Sequence, residues 1–547
     1  MKLLKLIILI IIFISSLVAD RVQVEQFVER FYNTVLERSS DSEGLNYWTE
    51  ELISSRRAGA DIARGFIFSS EFITRDINNN EFVNILYRAF FNREADSEGF
   101  ETWIGQLNSG ISRYDILNGF LYSLEFDNLC REYGILAVLD NTTEIVKETL
   151  RDTFVYRKDS PYTTVLRKCI GVQKIVNSCL LSELPLLAQE SSPPTKDMIM
   201  KRLVVSHQWM GERFSQMLDI LPDDIKILLG SVTAIVIDDD IRPSYYYPLT
   251  GAIYLDPRYF WITPDEADTI TKQDDYRSEY GNKLQFLDLT YYIKNGQYAI
   301  DYYSLDDNIV RDPHKIKYNL ARLLYHELTH ANDLVRQDMI PSFFYPERTI
   351  YNAIYDEYFT WWSGFLTYYY PLYSTELTQL GQVLYKVVEA TELEQSYLPN
   401  EVGEMFAQDG ASDMYAYSDS KEDLAMLFEA TMMKYHYGMD VYIGFLTNPT
   451  TTNPTADDYI LGWGEINSIA SDRVKHRAKL ISSYLLPNVN WDYFFDNDVG
   501  TSRLMTTDIP WYQSVNLANS STTRNVNHPT KEEHLRQLKY YKEMKIY

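Results

Sequence analysis

The sequence predicts an α+β protein, predominantly helical, in which two all-α repeats precede a mixed domain. Three observations carry that expectation. Between residues 25 and 126 a block of aromatic, acidic and glycine residues recurs at a constant offset; a His-Glu-x-x-His sequence lies inside a long helical run; and short β-branched runs with an Asn-Gly turn follow the repeats.

Residues 1–19 open with Lys2 and Lys5, continue through the uncharged run from Leu6 to Ile14, and close on Ser15-Ser16-Leu17-Val18-Ala19. This reads as a secretory signal peptide whose apolar core is short for a membrane span, so no span is expected in the mature chain and the protein is expected to be secreted, periplasmic or on the surface of a bacterium. Leu17 is large for its place before the cleavage residue, which leaves an uncleaved anchor as the alternative. Beyond the leader, 45% hydrophobic, 23% charged and 14% aromatic residues describe a globular chain. A formal charge of −26 argues against nucleic acid and anionic membranes as partners. The three cysteines cannot build a disulfide framework; Cys169 and Cys179 can pair, and Cys130 is left over.

The repeats span residues 20–75 and 76–130. Phe31-Tyr32, Arg38, Asp41-Ser42-Glu43-Gly44 and Trp48 recur as Leu86-Tyr87, Arg93, Asp96-Ser97-Glu98-Gly99 and Trp103, and Gly65-Phe66 recurs one residue closer as Gly119-Phe120. Each copy reads helix, Asp-x-x-Gly turn, helix, helix, with the tryptophans in the core. The acids in each turn read as a helix N-terminus rather than a calcium loop. This unit resembles a bacterial domain of unknown function related to phycobilisome linker domains and found in exported proteins, which implies a spacer or an attachment module for a cell-surface or glycan partner.

Residues 131–195 are expected as a helical connector ending in the linker Ala188 to Thr195, and 196–547 as the mixed domain. Within it Val232–Asp238 and Gly251–Asp256 read as strands, and Tyr291–Tyr303 as a hairpin turning at Asn295-Gly296. Pro341 to Leu372 is dense in aromatics, expected mainly as core with an apolar subsite as the alternative. Lys531–Tyr547 ends the chain as a charged helix.

The motif is His326-Glu327-Leu328-Thr329-His330. Leu320, Leu324, Leu328, Ala331 and Val335 form one helical stripe, and His326 and His330 stand one turn apart on the other side, where both imidazoles can reach a single ion. Glu327 is placed to hold a water rather than to ligate. The chain has only 8 His, so the pair is not background. A catalytic zinc needs a third protein ligand, and two carboxylates on later segments qualify: Glu357, in an aromatic stretch, and Glu422, in the first turn of a helix expected to be capped by Ser420.

These residues resemble the gluzincin metallopeptidases of the anthrax lethal-factor and Pro-Pro endopeptidase type. Asp333 follows the second histidine at the family's spacing, Glu422, Ala425 and Phe428 match its Glu-x-x-Ala-x-x-Phe helix, and Tyr415 precedes the glutamate where the family has an assisting tyrosine. Two departures are Met426, where the family often has an acid, and a long interval before Glu422 that implies an insertion at about 340–415. The resemblance implies a zincin-like domain holding one Zn2+ on His326, His330 and Glu422, with Glu327 as general base, Tyr415 on the oxyanion, Tyr417 as its reserve and Asp333 orienting a ligand from behind. It also implies that an extended substrate adds to a strand beside the motif helix; Gly251, Ala252, Ile253 and Tyr254 are the candidate, an ordinary sheet strand being the alternative. The expected function is a secreted zinc endopeptidase acting on a protein or peptide substrate, and the rival is a surface-binding protein with a silent zincin domain.

Overall fold

In the computed structural model the described residues are 21–544, apart from 54–57, 68, 76, 109–112, 122, 136, 138–149, 151, 174–176, 273–274, 276, 356–359, 387 and 521–527. The expected leader and Glu357 therefore lie outside the described residues. The protein is mixed α/β with helix predominating, and its chain divides into two compact units, Met1–Asn141 and Thr142–Tyr547. No described helix is long and apolar enough to cross a membrane.

Among the described residues the first unit forms helices and no strand. Its first copy comprises Arg21–Val35, Ser42–Ile53, Gly59–Ile67 and the single turn Ser70–Ile73, and its second Asn79–Phe91, Ser97–Asn108, Arg113–Leu121 and Leu124–Glu132. The recurring letters form one interlocked contact set. Asp41 accepts the Gly44 N–H at 2.8 Å, and Asp96 accepts that of Gly99 at 2.8 Å, so each acid satisfies an orphan donor of the helix it opens. The glycines are required by close approach: a Cβ on Gly44 would stand 2.2 Å from the Tyr32 hydroxyl, and one on Gly99 2.1 Å from that of Tyr87. Arg38 lies over the Tyr32 ring and pairs with Glu71, as Arg93 lies over Tyr87 and pairs with Glu125. Trp48 and Trp103, expected in the core, are partly buried against it.

Among the described residues the second unit holds two five-stranded sheets. The first contains β1 (Phe154–Val155), β2 (Leu203–Val205), β3 (Ile235–Ile237), β4 (Tyr245–Tyr247) and β5 (Ala252–Leu255) in the order β1-β2-β3-β5-β4. Strands β2, β3 and β5 run parallel, and β1 and β4 are antiparallel edges. The second contains β6 (Phe286–Lys294), β7 (Gln297–Tyr298), β8 (Asp440–Thr447), β9 (Leu461–Ile466) and β10 (Arg503–Leu504), antiparallel throughout in the order β10-β9-β8-β6-β7. The expected hairpin is present, with Asn295 at φ 51° and Gly296 at φ 77°.

Three expectations are corrected. Residues 150–195 are not a connector: β1 joins the first sheet, Cys169 and Cys179 form a disulfide, and Leu166, Leu184 and Leu187 enter the same core as the sheets. The stretch Ala188 to Thr195 read as a linker, yet the Gln189 side-chain amide donates to Phe344 O at 2.7 Å and Glu190 pairs with the buried Arg202 at 2.8 Å. Gly251 to Tyr254 is not an edge: β5 is hydrogen-bonded on both sides and wholly buried, as a continuous apolar run requires. The segment 340–415 is built into the domain, its Ile350, Ile354, Leu366, Leu377 and Leu380 filling the main core. Its aromatics are divided, since Phe344 is buried while Tyr368, Tyr369 and Tyr373 are exposed.

The glycine contacts separate two substitutions in one helix. Gly99→Ala is expected to destabilise the protein by about 1–3 kcal/mol through the clash with Tyr87, whereas Gly105→Ala, with nothing within 4 Å of its added Cβ, is expected to gain about 0.5–1 kcal/mol of helix propensity. Calorimetric melting of the two variants checks this, and equal effects would refute the contact.

Candidate metal centre

Two helices build the site. The motif helix, Pro313–Leu334, starts on Asp312, whose carboxylate accepts the His314 N–H at 2.8 Å, with Pro313 in the first turn. It is buried on nearly every side, so the face carrying the histidines is covered rather than wet: His326 is 8% exposed and Glu327 5%. The covering element is the glutamate helix, Ser420–Tyr437, which packs along it. Its N-cap is Asp419, which accepts the Lys421 N–H at 2.9 Å, and not Ser420 as expected. Glu422 thus lies in the first turn. The helix is held from behind by Asp423, which receives both arms of the buried Arg477 guanidinium.

His326, His330 and Glu422 each offer a ligand atom within 4.8 Å of the others, the one such group of three among the described residues. The Nε2 atoms of the two imidazoles stand 3.3 Å apart, and Glu422 Oε2 is 3.1 Å from the first and 3.3 Å from the second. Donor atoms that converge on one point in this way, two nitrogens and a carboxylate oxygen, suit a divalent ion of the zinc type. Burial opposes charge on His326, yet the carboxylates of Glu422 and Glu429 outweigh it and raise the imidazole to about 10. Burial likewise opposes the Glu422 carboxylate, and the imidazoles of His330 and His326 hold it well below the usual range. A cation at the point of convergence answers the same field.

Behind His326 stands a residue the motif does not contain. Nδ1 of His326 lies 3.1 Å from Glu429 Oε2, so with the carboxylate as acceptor Nδ1 carries a proton, and an ion at the point of convergence would take the place of the second proton on Nε2. Glu429 is fully buried; its other oxygen accepts from Tyr292 Oη at 2.6 Å and from Arg322 Nη1 at 3.4 Å. Burial disfavours its charge, but Arg322 and His326 prevail and lower its pKa. The signal for it was present: Glu429 is two turns after Glu422 on the same face, one turn beyond the Met426 position where the resembled family has an acid.

Asp333 does not touch an imidazole. It accepts the Ser363 N–H at 2.7 Å and so anchors the helix Trp362–Tyr369, while burial raises its pKa. Glu327 is buried in the same helix face, and desolvation raises its pKa against the pull of His326 and His330. Of the two tyrosines, the ring of Tyr415 lies 6.1 Å from that of His326 at 24°. Tyr417 points to the other side of its turn, against Phe406. Ala252, Ile253 and Tyr254 are inside the sheet, and the edge strand that packs against the motif helix is β4.

Residues 13–75 and 63–130 match the profile of a domain of unknown function, DUF4214, which agrees with the internal repeat. Compared with curated proteins and with solved structures, the chain matches none.

Removing a ligand and removing its support are expected to differ in degree. Glu422→Ala is expected to lose stoichiometric zinc, whereas Glu429→Gln is expected to retain it with affinity weakened about 10–100-fold. Zinc titration against a competing chelator measures both. Full zinc binding by Glu422→Ala would remove that residue from the site.

Proposed function

We propose that the Thr142–Tyr547 unit is a zinc-dependent peptidase, carried by an exported protein whose DUF4214 repeats serve as an attachment or spacer module. The observation that supports it most is the convergence of His326, His330 and Glu422 with Glu327 on the same helix and Tyr415 beside the first imidazole. The Cys169–Cys179 disulfide agrees with an oxidising compartment. His326, His330 and Glu422 hold the ion, and an ion so held supplies Lewis acidity that acidifies water and polarises a carbonyl. Glu327 takes the proton of the attacking water and returns it to the leaving amine; its raised pKa brings acid and base forms closer in energy. Tyr415 donates its hydroxyl to the oxygen that gains charge as the carbonyl becomes tetrahedral. An extended peptide adds to the outer edge of β4, the antiparallel strand beside the motif helix, which replaces the interior strand β5 in that role.

The mechanism separates metal binding from turnover. Glu327→Gln is expected to keep its zinc and fold while hydrolysis of a mixed peptide library falls by about two orders of magnitude or more. Cleavage products are followed by mass spectrometry with and without chelator, beside zinc content. Chelator-insensitive cleavage, or full activity in Glu327→Gln, would overturn the proposal.

A further inference from the structure

Strand β6 carries two buried polar side chains, Thr290 and Tyr292, and a half-buried one, Asp288, among apolar neighbours. Asp288, Thr290 and Tyr292 occupy alternate positions, so they share one face of the sheet, while Leu289, Tyr291 and Ile293 are buried on the other. Each of the three polar side chains makes a hydrogen bond that leads to the candidate metal centre. The Tyr292 hydroxyl donates to Glu429 at 2.6 Å, and Glu429 holds Nδ1 of His326. The Thr290 hydroxyl donates to Oδ2 of Asp413; Oδ1 of the same carboxylate accepts the N–H of Tyr415 at 2.8 Å and caps the turn Met414–Tyr417. Asp288 accepts from the Tyr385 hydroxyl, and the Tyr385 ring meets the Tyr415 ring edge-on with centroids 4.8 Å apart. The strand itself is held along its length by β8, from Phe286 opposite Thr447 to Ile293 opposite Asp440.

We propose that the polar face of β6 is the platform that sets the active geometry: Thr290, through Asp413, and Asp288, through Tyr385, are positioning residues for Tyr415, and Tyr292, through Glu429, is the positioning residue for His326. The inference rests on the proposed peptidase reading. A long strand paired with β8 from Phe286 to Ile293 is a stiff support for a short turn, and a polar residue packed against it costs free energy unless its bond is made. Three such residues in a row, all aimed at one centre, tie two separate parts of that centre to one rigid body.

The two arms predict different defects. In the zinc-loaded full chain, with the library peptide that the wild type cleaves fastest, Thr290→Val is expected to lower kcat about tenfold, a fraction of what the loss of an oxyanion donor costs. Its KM and zinc affinity are expected to stay at wild-type values, and Thr290→Ser is expected to restore kcat. In a Tyr415→Phe background Thr290→Val is expected to have no further effect, because its effect passes through that hydroxyl. Tyr292→Phe is expected instead to weaken zinc affinity about 10–100-fold. Equal losses from Thr290→Val in both backgrounds, no loss at all, or failure of Thr290→Ser to rescue would overturn the Tyr415 arm. Wild-type zinc affinity in Tyr292→Phe would overturn the His326 arm. Should the wild type cleave no peptide, the peptidase reading fails by itself, and zinc affinity still decides the platform: weakened in Tyr292→Phe and unchanged in Thr290→Val supports it, equal affinity in both refutes it.

Discussion

Where the motif helix meets the glutamate helix, His326, Glu327 and Glu429 are buried and His330 and Glu422 half-buried, and a charge in that position persists only if it is partnered. Much of the second unit answers this one constraint. Arg322 and Tyr292 answer Glu429, Glu429 answers the proton on His326, and Glu422 faces both imidazoles. The partners come from three elements, so the centre can exist only when the motif helix, the glutamate helix and β6 are assembled together. A centre of this kind is a consequence of the fold and cannot be carried by a peptide bearing the motif.

The neighbouring structure shows the same economy of polar groups. Asp423, next to Glu422 in sequence, turns away from the centre to receive Arg477, which also donates to the carbonyls of Tyr370 and Gly410. Asp333 serves the helix Trp362–Tyr369 in the same way. Both acids sit near the candidate ligands in sequence, yet both work at joining the long 340–415 segment to the two helices. The aromatic segment is therefore tied to the centre by hydrogen bonds as well as by packing.

The repeats follow a different logic. Their defining contacts, an aspartate on a glycine N–H, a tyrosine over that glycine and an arginine over the tyrosine, lie within one copy and recur in the next. A unit that closes its own turn can be duplicated without redesign, which is why the internal repeat is visible in the letters themselves.

What the sequence determined alone is what the backbone period determines. The histidines one turn apart, Glu422 in the first turn of its helix, the Asn-Gly hairpin and the Asp-x-x-Gly caps all join residues within a few positions of each other, and local geometry leaves them little choice. Only the tertiary structure decided the rest. It placed β5 in the interior of its sheet with β4 at the edge, drew residues 150–195 into the second unit, and put Tyr415 rather than Tyr417 beside His326. It also moved the support of the first histidine to Glu429 and left Asp333 to Ser363. Those choices depend on the order of strands and the crossing of helices far apart in the chain, and no periodicity within a single segment encodes which distant face it will meet.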